Sequence, residues 1–427
     1  MSESPDTPPA RRRRFRGGGR GAPGGGRPAR FPGWPERPAG RRAADRPRPA
    51  RTPAPRRHRW LRAAVLALTV AVLASAGLGW AVWTRLNGNI HADSATEREL
   101  EKYESERPPA GPKNALNILL IGSDNRAGEN GEYGTDTGTQ RSDTTILLHL
   151  AADRKRATAV SVPRDLMVQV PHCRRADGTE AAPQVAQFNG AFAVGGAACS
   201  IRTVEKLTRI RIDHHVIIDF TGFKHMVDAV HGVRMCLAAP IRDEEAHVSL
   251  PAGRQTLDGE AALGYVRARK SLGNGSDTQR MARQQQFLGA LVKKVQSNGV
   301  LLNPTRLYPV MDAATSSLTT DAGLASLRGL YELVRSMRGI PSSHVQFLTV
   351  PRTAYRDDPN RDELVQPDAD RLFARLRKDQ PVTVVSQRPA RAAGGRPAHS
   401  RRGGRPAPAA SSPPSFPGST AERGVCE

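Results

Sequence analysis

The chain has 427 residues, with 64 Lys and Arg against 41 Asp and Glu, a formal net charge of +23. The excess is unevenly placed: residues 1–62 hold 18 Arg and four acids, net +14, and residues 387–427 hold seven Arg and two acids, net +5. Only +4 remains for residues 63–386, which argues against a strongly basic globular nucleic-acid domain.

Both ends are built of Arg, Pro, Gly and Ala with few branched aliphatics. Such segments cannot bury enough apolar surface to offset chain entropy, so 1–62 and 387–427 are expected to be disordered basic tails. Arg11 to Arg14 and the Gly-rich Arg repeats after them could bind RNA loosely, but the favoured reading is a solvated tail drawn to an anionic membrane surface.

Between Arg62 and Arg85 lies the uncharged run AAVLALTVAVLASAGLGWAVWT, residues 63–84. As a helix it would span ~33 Å, enough for a hydrocarbon core of ~30 Å. Trp60 flanks one end, and Trp80 and Trp83 lie near the other, as interfacial rings do. Ala74-Ser75-Ala76 has the small-residue character of a leader cleavage site, but the apolar run continues past it and the preceding tail is too long. An uncleaved single-pass anchor is therefore expected. The positive tail places the N-terminus in the cytoplasm and everything beyond residue 85 outside.

Of the four cysteines, Cys173, Cys199 and Cys236 fall in that outer part, where disulfides persist, and Cys426 in the C-terminal tail. Their spacing has no metal pattern. Cys173 and Cys199 lie in or beside loops and are the favoured pair, whereas Cys236, in the apolar run Val233 to Leu237, is expected to pack as a small hydrophobe.

Residues 85–113 read as a polar stalk closed by Pro108-Pro109 and Gly111-Pro112, with a globular part from Asn114 to residue 386. Short apolar runs at Ala115–Ile121, Thr144–Leu150, Thr158–Val162, Val216–Ile218 and His344–Val350 read as buried strands. Helical spacing is found at Ser200–Leu207, Phe220–Val230, Thr278–Gln296, Asp321–Met337 (with Asp321 as N-cap) and Pro367–Lys378. The alternation predicts an α/β fold, a mixed central sheet covered by helices on both faces.

Polar residues collect where strands end. Gly122-Ser123-Asp124 closes the first strand, Arg141-Ser142-Asp143 opens the next, and Pro163-Arg164-Asp165 follows the third. Arg267 and Arg269, at i and i+2, share a face if extended; Arg280 and Gln284, four apart, share a helix face. Ligands of open α/β sheets bind at strand ends. Five guanidiniums around one pocket repel unless a multivalent anion sits among them, at ~4 kcal/mol per pair for ~4 Å and a dielectric near 20. Guanidinium forks match phosphate oxygens in pairs, so pyrophosphate is the natural guest. Asp124 and Asp143 would repel it unless a divalent cation such as Mg²⁺ sits between.

The ordered blocks NILLIGSD, RSDT, VSVPRD, FNGAF, DHHVIIDFTGFKHMVDAVHGV, LDGEAALGYVRAR and RQQQFLGAL, over roughly residues 114–297, resemble the LytR-CpsA-Psr family. The resemblance implies that family's α/β fold behind one anchor helix, and a membrane-bound phosphotransferase. Such an enzyme moves a glycopolymer from a polyprenyl-pyrophosphate carrier onto peptidoglycan. By motif, Asp124 and Asp143 correspond to the Mg²⁺-associated acids, Arg141, Arg164, Arg267, Arg269 and Arg280 to the pyrophosphate-binding arginines, and Gln284 to the family glutamine. Asp143, Asp124 and Arg164 are the candidate catalytic groups. The implied partners are the lipid-linked glycopolymer, peptidoglycan and the membrane, with no nucleic acid. Apolar residues of the 220–230 and 281–295 helices are candidates for a lipid tunnel, with plain core packing as the other reading. Two departures stand out: Val230-His231-Gly232 has His where the family has Gly, and the loop 125–140 is long and Gly-rich. His214 and His215 read as structural. The rival readings are a pyrophosphatase acting on the same lipid-linked substrate and a membrane-bound transcriptional attenuator.

Overall fold

The computed structural model describes residues 57–124, 141–269, 277–296, 304–385 and 414–422. The expected disorder of 1–56 and 386–413, and the Gly-rich loop 125–140, lie outside them. The chain divides into compact units Met1–Ala67 and Leu68–Glu427. Helix α1 (Arg57–Asn89) runs through the boundary; it is long and apolar enough to cross a membrane, and Leu66, Leu73 and Trp80 in its apolar run are exposed, whereas Leu86 near its end is buried.

The second unit is framed by a mixed sheet of nine strands among the described residues. They are β1 (His91–Ala92), β2 (Leu116–Ser123), β3 (Ser142–Leu150), β4 (Ala157–Val162), β5 (His214–Ile218), β6 (Leu318–Thr320), β7 (Val345–Thr349), β8 (Thr383–Val385) and β9 (Ser415–Thr420), in the order β1-β6-β5-β2-β3-β4-β7-β9-β8. β2 runs antiparallel to β3 and parallel to β5; β4 runs antiparallel to β3 and parallel to β7. Alternate side chains of the central strands enter different cores, because successive Cβ atoms point to opposite faces. Leu119, Leu147 and Val160 pack with α3 (Phe188–Thr208) and the Asp368–Arg377 helix, while Ile118, Ile146 and Ala159 share a core with Leu288 and Val292 of the Asp277–Gln296 helix. Apolar cover on both faces explains why these strands read as continuous hydrophobic runs.

A further core gathers α4 (Phe220–Ala229), α5 (Gly259–Arg267) and the antiparallel ladder Val233–Leu237 with Gly253–Leu257 around Phe287. Phe287 belongs to α6 (Asp277–Gln296), so this helix serves two cores at once, Phe287 and Leu291 on one side, Leu288 and Val292 on the other. Of these, Phe287 is fully buried, whereas Leu288, Leu291 and Val292 are half-buried. Two more helices, α7 (Pro304–Ser317) and α8 (Leu327–Met337), precede α9 (Asp368–Arg377).

Several sequence expectations are corrected. Residues 85–113 are not a free stalk: β1 pairs with β6, and helix α2 (Ser94–Lys102) buries Thr96 and Leu100. Nor are residues 414–422 a disordered tail. β9 sits between β7 and β8 and buries Phe416, and Ala421 just past it is buried as well. Both segments are sequence-distant pieces of one sheet, a relationship that local composition does not carry. The N-cap of α8 is Ser326 rather than Asp321, whose carboxylate instead closes the turn at Gly323 and Leu324 and meets His214 and the His215 amide. α3 begins at Phe188, well before the expected Ser200, and is broken by non-helical Gly195 and Gly196, which interrupt the apolar period. Cys173 and Cys199 are bonded as expected, but Cys236 is also disulfide-bonded and is not a free packed side chain. At Val230-His231-Gly232, His231 has φ 58° and Gly232 φ 73°; the backbone does require the left-handed region where His replaces Gly.

Candidate functional site

The site lies at the ends of β2 and β5 nearest Ser123 and Ile218, with the neighbouring ends of β3 and β4. Along β2 and β3, Gly122 pairs with Thr144 but Ser123 pairs with Ser142. One strand advances one residue while the other advances two, so Asp143 is the extra residue of a β-bulge. Bulges re-aim a side chain out of the pleat. Here the re-aimed carboxylate meets Arg164, whose Nη1 donates to Asp143 Oδ1 at 3.0 Å and whose Nε donates to Asp165 Oδ2 at 3.2 Å. Asp165 is steadied in turn by Gln187 Nε2 at 3.0 Å.

Asp143, Thr144, Thr145, Ser161 and Arg164 line one small cleft, closed from above by Arg280, Met281 and Gln284 of α6. Arg280 is 4% exposed, so its charge sits in a largely desolvated place. Gln284 Nε2 donates to Thr144 Oγ1 at 3.1 Å and to Val266 O at 3.3 Å. The adjacent Gln285, whose role the sequence reading did not identify, holds α6 on the sheet through Ser161 Oγ at 3.0 Å and Thr349 Oγ1 at 3.1 Å.

Arg267 and Arg269 are not on a strand. Arg267 is the last residue of α5 and Ala268 its C-cap. The apolar spacing of Gly259–Tyr265 and the capping Asp258, which accepts from Ala261 N at 2.9 Å, select the helix. The Arg267 guanidinium lies 4.6 Å over the Phe220 ring. The Arg269 amide donates to Asp243 Oδ2 at 2.6 Å. The Val266 carbonyl ties this helix end to Gln284, and through it to the cleft.

Asp124 and Arg141 meet at the neck of the 125–140 loop. Arg141 N donates to Asp124 Oδ1 at 2.6 Å, and Asp124 N to Arg141 O at 3.0 Å. They do not line the cleft; Ser123–Ser142 pairing connects them to it. The structure therefore brings Asp143, Arg164, Arg280 and Gln284 directly together, bonds Gln284 to the Val266 carbonyl beside Arg267, places Arg269 against Asp243, and leaves Asp124 and Arg141 at the rim.

Among the described residues no three His, Cys, Asp or Glu form a metal cage. Oxygen donors are nevertheless concentrated beside Asp143. Ser142 Oγ and Thr145 Oγ1 are buried without a hydrogen-bond partner among the described residues. One carboxylate with neighbouring hydroxyls suits a hard cation whose other ligands are phosphate oxygens and water, as Mg²⁺ prefers. The donor set fits Mg²⁺ arriving with a phosphate better than Mg²⁺ held by protein alone.

A larger cavity, about 340 Å³, lies at the opposite end of β5, lined by Glu97, Glu101, Glu104, Asp213 and Asp321 with Arg107, His214 and His215. Its acidic wall would repel a polyphosphate. Here His214 Nδ1 meets Asp321 Oδ1 at 2.9 Å and His215 Nε2 meets Asp93 Oδ2 at 3.3 Å, which bears out their structural reading. The Asp321 hydrogen bond holds His214 above the ordinary histidine pKa. Burial pushes Asp93 up, but the bonds from His215 and Thr96 outweigh it and hold the carboxyl at about 2.

Residues 83–378 match the model of the LytR_cpsA_psr family. The chain is 40% identical over 248 residues to a Corynebacterium glutamicum protein named probable cell wall biosynthesis protein LcpB, a match covering 56% of this chain and 55% of that one. To cell wall biosynthesis protein LcpA of the same organism it is 29% identical, covering 70% of this chain and 61% of LcpA. The chain thus spans less than two thirds of the length of these two relatives. To TagT of Bacillus subtilis, named a polyisoprenyl-teichoic acid–peptidoglycan teichoic acid transferase, it is 29% identical over 66% of this chain and 84% of TagT. In fold it is similar to the crystal structure of protein gbs0355 from Streptococcus agalactiae, with a TM-score of 0.51 at 22% identity, covering 62% of this chain and 88% of that one.

Proposed function

This chain belongs to the LytR-CpsA-Psr family, and from that premise we propose that it is a membrane-anchored phosphotransferase that moves a glycopolymer from a polyprenyl-pyrophosphate carrier onto peptidoglycan. The observation that carries this reading is the meeting of Asp143, Arg164, Arg280 and Gln284 in one cleft, with the Val266 carbonyl next to Arg267 bonded to Gln284. The guanidiniums of Arg164 and Arg280 share this small cleft, the second of them largely desolvated, and such a pair favours a multivalent anion between them. The names of LcpB, LcpA and TagT support the cell-wall class of substrate.

In this reading an acceptor hydroxyl attacks the phosphorus that bears the glycan. A new P–O bond forms as the bond to polyprenyl phosphate breaks, and the arginines hold the non-bridging and departing oxygens. Asp143, Thr145 and Ser142 would hold Mg²⁺, with Asp124 at the rim as the second acid; the ion supplies charge neutralisation for the phosphate oxygens. Arginine is no base here, because its pKa lies above ~12. Tyr265 is equally unsuited, pushed to about 12 by burial. The acceptor proton passes to a carboxylate, Asp143 or Asp124, or to the phosphate itself. α1 is read as the anchor, with the basic tail inside and the catalytic unit outside. The Cys173–Cys199 bond supports an oxidising compartment.

The test is turnover of a polyprenyl-pyrophosphoryl glycan by the full chain in detergent, with and without peptidoglycan. Product that stays linked to peptidoglycan, lost in Asp143→Ala while substrate binding persists, supports transfer. Phosphorylated glycan released to water at the same rate with or without acceptor would make the protein a pyrophosphatase instead.

A further inference from the structure

The end of α5 is held at more points than a helix end needs. The last carbonyls of a helix have no partner within it and are commonly met by water or a single cap. Here Val266 O accepts from Gln284, Ala268 O accepts from Arg283 Nη2, and the Arg269 amide donates to Asp243 Oδ2. Three backbone groups around the Arg-Ala-Arg segment are thus fixed by side chains from two other elements, α6 and the Ile241–Asp243 strand.

Two of those side chains are deeply buried charges. Arg283 is 7% exposed and Asp243 3% exposed. Burial lowers the Arg283 pKa, with Tyr265 and Asp243 partly offsetting it. Asp243 Oδ1 also accepts from Ala246 N at 3.2 Å, which fixes the carboxylate's rotation. Buried charges of this kind are a poor way to stabilise a fold, since apolar replacements of similar volume are often neutral or better. What they do supply is fixed geometry.

We propose that Arg283 and Asp243 are positioning residues: a buried clamp that holds the backbone between Arg267 and Arg269 so that both guanidiniums face one pyrophosphate. This rests on the pyrophosphate reading of the site. Two like charges aimed at the same anion drive the segment apart whenever the anion is absent, and the clamp resists that splaying before substrate arrives. Such pre-organisation acts chiefly on turnover, where small misplacements are costly.

The experiment uses the full chain in detergent, titrated calorimetrically with inorganic pyrophosphate plus Mg²⁺ and assayed for turnover of a polyprenyl-pyrophosphoryl glycan. Arg283→Met, which leaves the Ala268 carbonyl unpaired, is expected to melt below the parent yet, assayed where it is fully folded, to lose about 100-fold in kcat with a smaller change in KM. Arg283→Lys is expected to recover most of that loss, because one donor suffices for one carbonyl. Arg280→Lys should recover little, because a phosphate takes a two-pronged fork. Asp243→Asn, which keeps an acceptor for the Arg269 amide, guards against a misfolded Met variant and should give an intermediate loss of kcat. If Arg283→Met turns over like the parent while Arg280→Lys is impaired, the clamp is wrong and the site reading stands. If Arg280→Lys also behaves like the parent, or the parent binds neither pyrophosphate nor lipid-linked substrate, the site reading falls and the clamp with it. If melting temperature and activity fall together in Arg283→Met and Lys restores neither, Arg283 is structural only.

Discussion

Gln284 Nε2 lies 3.1 Å from Thr144 Oγ1, so one amide joins α6 to the strand that carries Asp143. The same nitrogen donates to Val266 O at 3.3 Å, which makes Gln284 the crosspiece between the cleft and the end of α5. Gln284→Leu keeps the volume and removes both bonds, leaving the Thr144 hydroxyl and the Val266 carbonyl to find other partners. Each lost bond is worth about 0.5–1.5 kcal/mol, and an unsatisfied buried group costs about 1–3. The expected result is a drop in unfolding free energy of about 1–3 kcal/mol by denaturant titration, with a larger fractional loss in turnover.

The Phe220 ring is the platform on which the Arg267 guanidinium rests, at 4.6 Å. A cation over an aromatic face gains about 0.5–2 kcal/mol depending on desolvation. Phe220→Leu retains apolar volume but not the ring quadrupole, so the arginine is freed to adopt other rotamers. Binding of lipid-linked pyrophosphate is expected to weaken by about 2- to 30-fold with little change in melting temperature. Unchanged affinity would show that Arg267 does not reach the anion from this perch.

The His214–Asp321 pair predicts a pH signature in stability. The Asp321 bond raises the His214 pKa above 6.5, so its contribution is complete below pH ~6.5 and fades as pH rises through the raised value. Burial opposes ionisation of Asp321, but the bond from His214 prevails and lowers its pKa below 3.8; that contribution holds above ~3.8 and is lost on acidification. His149 acts the other way. Burial depresses its pKa despite Asp379, so its contribution is present above pH ~6.5 and lost as pH falls. In melting curves from pH 5 to 9, His214→Gln should therefore remove a component that declines with rising pH, and His149→Gln one that increases. A His214→Gln curve parallel to the parent's would rule out the pairing as a source of stability.

The Cys173–Cys199 bridge closes a 26-residue separation. Chain-entropy arithmetic for such a loop gives about 3–4 kcal/mol of stabilisation, exerted through the unfolded state. The double substitution to Ser should lower the unfolding free energy by about that amount and leave the KM of the folded enzyme unchanged, because neither cysteine lines the cleft. A KM that rises while stability holds would place the bridge in the service of the site instead.

The amino-acid sequence by itself determined the local periods: the uncharged span of α1, the apolar runs of β2, β3 and β4, and the helical stripe of α6. These depend on which residues lie two, three or four apart, and burial on both sheet faces kept the strand signals unbroken. It also placed the charged groups at strand ends, because the same few residues that stop an apolar run carry the charge. Tertiary structure alone decided the rest. Whether Asp143 points along the pleat or out of it depends on a one-residue slip against Ser123, which is a property of pairing and not of either strand. Arg267 and Arg269 read equally well as a strand until α5 is seen to continue to Arg267, packed against Phe287 and Phe223. Residues 91–92 and 415–420 joined the sheet through partners more than thirty residues away in sequence, and Asp243 and Arg283 became a pair only when α5 was folded between them. Periodicity is written between neighbours, whereas register, sheet order and buried pairing are set by chain-distant surfaces competing to exclude water.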